Sequence, residues 1–138
     1  MTDDLSAPRE QFTLPLTIAA ADIDELGHVN NAVYLRWAQD IATAHWRARA
    51  GDDLVAAYVW VLSRCEIDYR AELKLGDVVE ARTWVAREAR GAAWDRFVAI
   101  WRVGDAKPAA QIKATWALLD ARTRRLTRVP AAIVARFG

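Results

Sequence analysis

The stretch DIDELGHVNNAVYLRWAQD, Asp22 to Asp40, sets two Asp, a Glu, a Gly, a His and two adjacent Asn against the start of an apolar segment. The segment reads as a helix. Asn30 or Asn31 serves as its N-cap, because a short side-chain oxygen accepts from first-turn amides that lack an intrahelical partner. The helix is expected over Ala32–Ala50, with Gly51 where a C-terminal glycine belongs. Roughly 20 residues at about 1.5 Å each make a rod of about 30 Å. Tyr34, Trp37, Ala38, Ile41 and His45 form one apolar stripe, and Leu35, Ala42 and Trp46 form another beside it. Charge is confined to Arg36, Asp40, Arg47 and Arg49, so the helix calls for cover over most of its circumference.

Outward from the helix, the pattern changes to a period of two. Phe12–Ala20 is compatible with a strand. After the helix, Val59, Val61, Ser63, Cys65, Ile67 and Tyr69 fall on one face of a strand, with Arg64, Glu66, Asp68 and Arg70 on the other. Leu75-Gly76-Asp77 is a turn signal, and Val78–Glu88, Ala92–Val103 and Ala109–Asp120 each have strand length and composition. A short last strand, Leu126–Pro130, and a terminal helical turn, Ala131–Phe137, complete the reading. Consecutive strands with short connections imply an antiparallel sheet. One sheet curled around one long helix covers that helix most economically, so the fold class is α+β.

Composition agrees with this plan. A chain of 138 residues is one domain, 1–138, with residues 1–11 expected to fray. Hydrophobic residues make up 54% and seven residues are Trp, enough for a core without covalent staples. The formal net charge is +1, from 19 basic and 18 acidic residues, and no basic block marks a nucleic-acid surface. Cys65 is alone, so neither a disulfide framework nor a thiolate metal cage is expected. The start, MTDDLSAPREQ, lacks a signal-peptide pattern, and LPLTIAAA is too short to span a bilayer. A cytoplasmic protein with no membrane contact is expected.

The order of elements, and DIDELGHVNNAVYLRW above all, resembles the hot-dog fold acyl-CoA thioesterases of the 4-hydroxybenzoyl-CoA thioesterase type. It is also similar to the plant acyl-carrier-protein thioesterases, which share D-x-D-x-x-x-H-V-N-N-x-x-Y. The resemblance covers about residues 12 to 130, and IDYRAELKLGD looks like a second, weaker family signature. It implies an antiparallel sheet wrapped around a central helix, and a thioester hydrolase acting on acyl-CoA or acyl-carrier protein. It also implies a homodimer or dimer of dimers sharing its active sites. The family's catalytic carboxylate falls on Asp24, and the plant-type histidine, the second catalytic candidate, on His28. The amides that polarise the thioester carbonyl fall near Asn31 and Ala32, with Tyr34, Gln39 and Arg90 as further substrate-binding candidates. Two positions depart from the relatives. Leu26 stands where the plant enzymes carry a catalytic Asn, and Gln39 where many bacterial members carry Glu.

The chemistry fits those residue types. An aliphatic thiol ionises near pKa 8.5, as Cys does, so it leaves without strong acid help. One carboxylate and an oxyanion donor therefore suffice, and a helix N-terminus offers the donor. The plainer readings stand beside this one. Asp24 before a helix also suits a turn; Asp22 is a turn residue first, and His28 orients the loop as readily as it touches substrate. Asn30 and Asn31 are caps first. His45 is a packed His, and Cys65 a small hydrophobe. Arg70, Arg90 and the Arg122–Arg125 turn suit the phosphates of CoA, but solvated surface is the first reading of each. Asp22, Asp24, His28 and His45 match no standard metal spacing, so neither metal nor cofactor is expected. Two other functions remain open: a hot-dog hydratase or dehydratase, whose Asn-Pro is missing from DELGH, and a non-catalytic acyl-CoA-binding protein.

Overall fold

Asn30 opens the long helix. In the computed structural model, which describes residues 10–138, its backbone is extended and its side-chain oxygen accepts from the Ala32 N–H at 2.9 Å. Helix α1 runs Asn31–Ala50, one residue earlier than the sequence pattern placed it. Gly51 ends it at φ +85°, a conformation that costs a side-chain-bearing residue. Arg136 then donates to the terminal carbonyls of Ala50, at 2.9 Å, and Arg49, at 3.3 Å.

The expected rest of the chain follows with local corrections. Strand β1, Phe12–Leu16, is shorter than the expected Phe12–Ala20, because the chain turns into a 3-10 turn at Ala20–Asp22. A short helix α2, Asp52–Ala57, leads directly into β2, Tyr58–Tyr69. Strands β4 Ala93–Arg102 and β5 Ala110–Asp120 lie within a residue of the spans expected from length and composition, while β3, Val79–Val85, ends before the expected Glu88. Leu126–Pro130 is not a strand: it contributes the single bridge Leu119–Leu126. The terminal turn is present as α3, Ala131–Val134, continued by a 3-10 turn to Phe137. Residues 1–9 of the expected frayed start lie outside the described residues. Glu10 is held in place, with its carboxylate on His45 and Arg49.

All pairings are antiparallel and the sheet order is β1-β3-β4-β5-β2, with β1 and β2 at the edges. The sheet packs one face on α1, an arrangement of one curled sheet around one helix. Two core clusters result. One gathers Val29, Tyr34, Trp37, Ile41, Leu73, Ile100 and Ile112; the other gathers Trp46, Trp94, Leu118, Ile133 and Phe137. Each fully buried large apolar side chain contributes about 1.5–3 kcal/mol.

Two face assignments need correction. The helix leaves one continuous stripe exposed (Ala32, Leu35, Arg36, Gln39, Asp40, Thr43 and Arg47), so cover is needed over less of it than composition implied. In β2 the register shifts between Leu62 and Arg64, so Ser63 is an extra residue opposite β5. Val59 and Val61 therefore do not share a face with Cys65 and Ile67. Before the bulge it is Trp60 that turns inward, edge-on to Trp46 with ring centroids 5.7 Å apart, while Val61 is exposed. Ser63 Oγ donates to Thr115 O at 3.0 Å and fixes the irregularity.

Candidate functional site

The approach to α1 is a small hairpin. Ile23 bridges Val29, the Asp24 N–H donates to His28 O at 3.0 Å, and the Gly27 N–H donates to Asp24 O at 3.0 Å. Gly27 sits at φ +84°, which suits its residue type and places the next residue, His28, on the return arm. The hairpin is tied down at its base. The Val29 N–H donates to Leu73 O at 2.8 Å and the Asn30 N–H to Asp22 O at 2.9 Å.

Asp22 performs the turn role expected of it. It is buried, its Oδ2 accepts from the Ala19 N–H at 2.9 Å, and its Oδ1 accepts from Arg36 Nη1 at 3.1 Å. The Arg36 guanidinium and the Ala19 amide hold its carboxyl below the usual carboxylate range. Arg36 is thus a clamp between the first helical turns and the hairpin. Sequence reading gave it no role, although a lone cation one turn into a helix beside an acidic loop was a signal for one.

Asp24 is half-buried. Its Oδ1 accepts from the Leu26 N–H at 2.9 Å, and its Oδ2 has no partner among the described residues. His28 is also half-buried, with Nε2 3.9 Å from the exposed Glu72 carboxylate. Beside it, a cleft of about 180 Å³ is lined by His28, Asn31, Tyr34, Tyr69, Arg70 and Glu72. Burial pushes the Tyr34 hydroxyl up to about 12, helped by its neighbour Tyr69, so it stays protonated as a donor at neutral pH. Tyr69, which the candidate residues omitted, packs edge-on to Tyr34 at 5.1 Å and donates its hydroxyl to Asn31 O at 3.0 Å. The signal for it was the aromatic residue closing the alternating run of β2.

The structure therefore gathers His28, Asn31 and Tyr34 at one cleft, with Asp24 on the adjoining hairpin. It does not gather all the candidates. The Ala32 N–H is consumed by its bond to Asn30 Oδ1, which leaves the Asn31 N–H as the first-turn amide without a partner among the described residues. Gln39 stands two turns further along the exposed stripe and does not line this cleft. Arg90 lies elsewhere, in a bidentate pair with Asp95 at 2.7 and 3.1 Å, over a polar depression shared with Arg64, Glu66 and Lys113. Among the described residues no three His, Cys, Asp or Glu side chains gather as a metal site, and no helix is long and apolar enough to cross a membrane.

Known proteins share this architecture. A Pseudomonas aeruginosa protein superposes with a TM-score of 0.81 at 19% identity, over 94% of each chain. A Thermus thermophilus thioesterase, solved with coenzyme A and Zn, superposes at 0.75 with 25% identity, over 94% of this chain and 96% of that one. The 1,4-dihydroxy-2-naphthoyl-CoA thioesterase of Synechocystis gives 0.76 at 16% identity, over 91% and 96%. In sequence, the chloroplastic acyl-[acyl-carrier-protein] hydrolase FATB3 of Cuphea viscosissima is 30% identical over 75 residues, 52% of this chain. That match spans 17% of the plant protein. The family model of the thioesterase-like superfamily matches residues 18–137, and the chain belongs to that superfamily.

Proposed function

We propose that the protein hydrolyses an acyl thioester, with coenzyme A as the carrier ahead of acyl-carrier protein. The observation that carries this is the pairing of Asp24, with one carboxylate oxygen uncommitted, and the uncommitted Asn31 N–H at the start of a 20-residue helix. Asp24 acts as the base that activates water or as the nucleophile itself. The Asn31 N–H receives the carbonyl oxygen as negative charge develops there, and the positive end of the helix supports it. The carbon–sulfur bond then breaks, and the thiolate departs without a dedicated acid. His28 and Tyr34 bind and orient the acyl thioester at the cleft, and the capped Ala32 N–H takes no part. Family membership and the coenzyme A bound to the Thermus relative support the choice of thiol carrier.

The reading includes a second copy of the chain. Strand β2 is a 12-residue edge with the cleft beside its end, and pairing two such edges would enclose both clefts. A cytoplasmic enzyme acting as a dimer or dimer of dimers fits this arrangement. Thiol release measured over a panel of aryl- and alkyl-CoA substrates tests the activity; no release from any of them, with acyl-carrier-protein thioesters included, would reject it. Light scattering that found an active monomer would reject the shared site.

A further inference from the structure

A second cavity, of about 280 Å³, lies between the sheet and the later turns of α1, and nothing in the proposed reaction uses it. Its lining begins at Ala42, 11 residues beyond Asn31, or about 16 Å along the helix axis. Trp46, Trp60, Trp94, Trp116 and Phe137 give it aromatic walls. Such a lining is by default core. Two polar features argue otherwise.

Arg96 reaches this cavity from β4, 8% exposed. Its Nη1 donates to His45 Nδ1 at 2.9 Å and to Thr83 Oγ1 at 3.0 Å. Its Nε and Nη2 have no partner among the described residues, and no carboxylate there forms an ion pair with it. Burial draws the guanidinium down to about 10, so it remains charged at neutral pH. The neighbouring Asp95 offers no compensation, because Arg90 and Thr115 occupy its carboxylate. Glu10 stands beyond the His45 ring and is itself bound to Arg49. A buried cation is costly unless paired, and this one keeps free donors. The second feature is Trp116, whose buried indole N–H has no acceptor among the described residues. It lines the same cavity. Charge-assisted donors and an orphaned N–H on two side chains that line one cavity call for the same missing group, an anion with more than one acceptor oxygen. Arg47, and Asp95 in its pair with Arg90, complete the charged lining.

We propose that this cavity binds a carboxylate carried on a compact apolar or aromatic body, the carboxylate on Arg96 and Trp116 and the body among the tryptophans. The volume, just under the usual range of about 300–1,000 Å³ for ligand pockets, suits a single ring. The carboxylate belongs either to a free acid or to the far end of an acyl group whose thioester lies at the Asn31 cleft. The site does not depend on hydrolysis, so a binding measurement stands whether or not the protein cleaves thioesters.

Calorimetric titration of the full chain with benzoate, phenylacetate and 3-phenylpropanoate tests it, with the matching carboxamides as uncharged counterparts. At least one acid is expected to bind saturably and its amide at least tenfold more weakly. Arg96→Met should abolish binding. Because that change also removes the His45 and Thr83 bonds, Trp116→Phe is the safer variant: it removes an N–H that bonds nothing among the described residues, and should weaken binding about tenfold. If dodecanedioyl-CoA is hydrolysed in preference to dodecanoyl-CoA, and Trp116→Phe erases the preference, the carboxylate is the substrate's far end. Saturable binding without such a preference marks a free acid. Acids and amides binding alike, none of the three acids binding, or Trp116→Phe binding as tightly as the unaltered chain would overturn the proposal.

Discussion

Asn30 Oδ1 closes on the Ala32 N–H at 2.9 Å and removes that amide from the chemistry of the helix start. Asn30→Ala should therefore cost about 1 kcal/mol of stability through loss of the cap, while Asn30→Asp keeps most of it. For a chain of this size that is a fall in Tm of roughly 3–5 °C, read by thermal unfolding. Hydrolysis per folded molecule should change little, since the Asn31 N–H is untouched; a loss as large as that from removing Asp24 would place the Asn30 side chain in the reaction.

Asp24→Asn should keep the fold, because an amide oxygen still accepts from the Leu26 N–H, yet lose basicity and charge. Turnover should fall about 10²-fold or more with acyl-CoA binding retained. His28→Ala should cost less, since the thiolate needs little acid help. Near-normal kcat in Asp24→Asn would move the chemistry elsewhere.

Gln39 and Asp40 are both exposed on α1, and adjacent helix residues point about 100° apart. Asp40 thus does not present its carboxylate where the side chain of Gln39 points. Asp40→Asn should keep nearly full activity, and Gln39→Ala should lose clearly less than Asp24→Asn. A folded but inactive Asp40→Asn would end the single-carboxylate mechanism.

His45 should stay neutral far into acid. Arg96 is donor only, so His45 Nδ1 accepts and its Nε2–H donates to Glu10 at 2.9 Å. Burial first, then the charges of Arg96 and Arg49, pull its pKa from 6.5 to about 4, against the opposing pull of Glu10. As pH falls, the unfolded chain takes up this proton first, so stability present above pH 6.5 is lost between 6.5 and about 4, amounting to about 3 kcal/mol. Ring resonances of His45 that titrate near 6.5 by NMR would contradict this.

What the sequence showed clearly was what periodicity and caps encode. Asn30, Gly51 and the spacing of Trp37, Ile41 and His45 placed α1 to within a residue, and strand length with β-rich composition placed β4 and β5 to within a residue and β3 apart from its end. The misplaced features depend on partners distant in the chain. No local pattern shows that Ala32 has given its amide to Asn30, or that Arg90 is paired with Asp95 away from the cleft. Arg96 falls inside the expected strand Ala92–Val103 with nothing local to mark it, and only the approach of α1, which brings His45 to it across 51 positions, reveals its burial.

The bulge at Ser63 has a consequence for chain length. Leu62 pairs with Trp116 and Arg64 with Thr115, so β2 holds one residue more than β5 requires. Deleting Ser63 would leave every other partner in place, Trp60 still inward at one end and Ile67 at the other. Deleting Val61 instead would keep Trp60 and Ile67 on one face but turn Leu62 outward and Ser63 inward. Position 63 is therefore where this edge tolerates shortening. What shortening would remove is local twist, the coiling by which a flat ribbon becomes a wrapper for a helix.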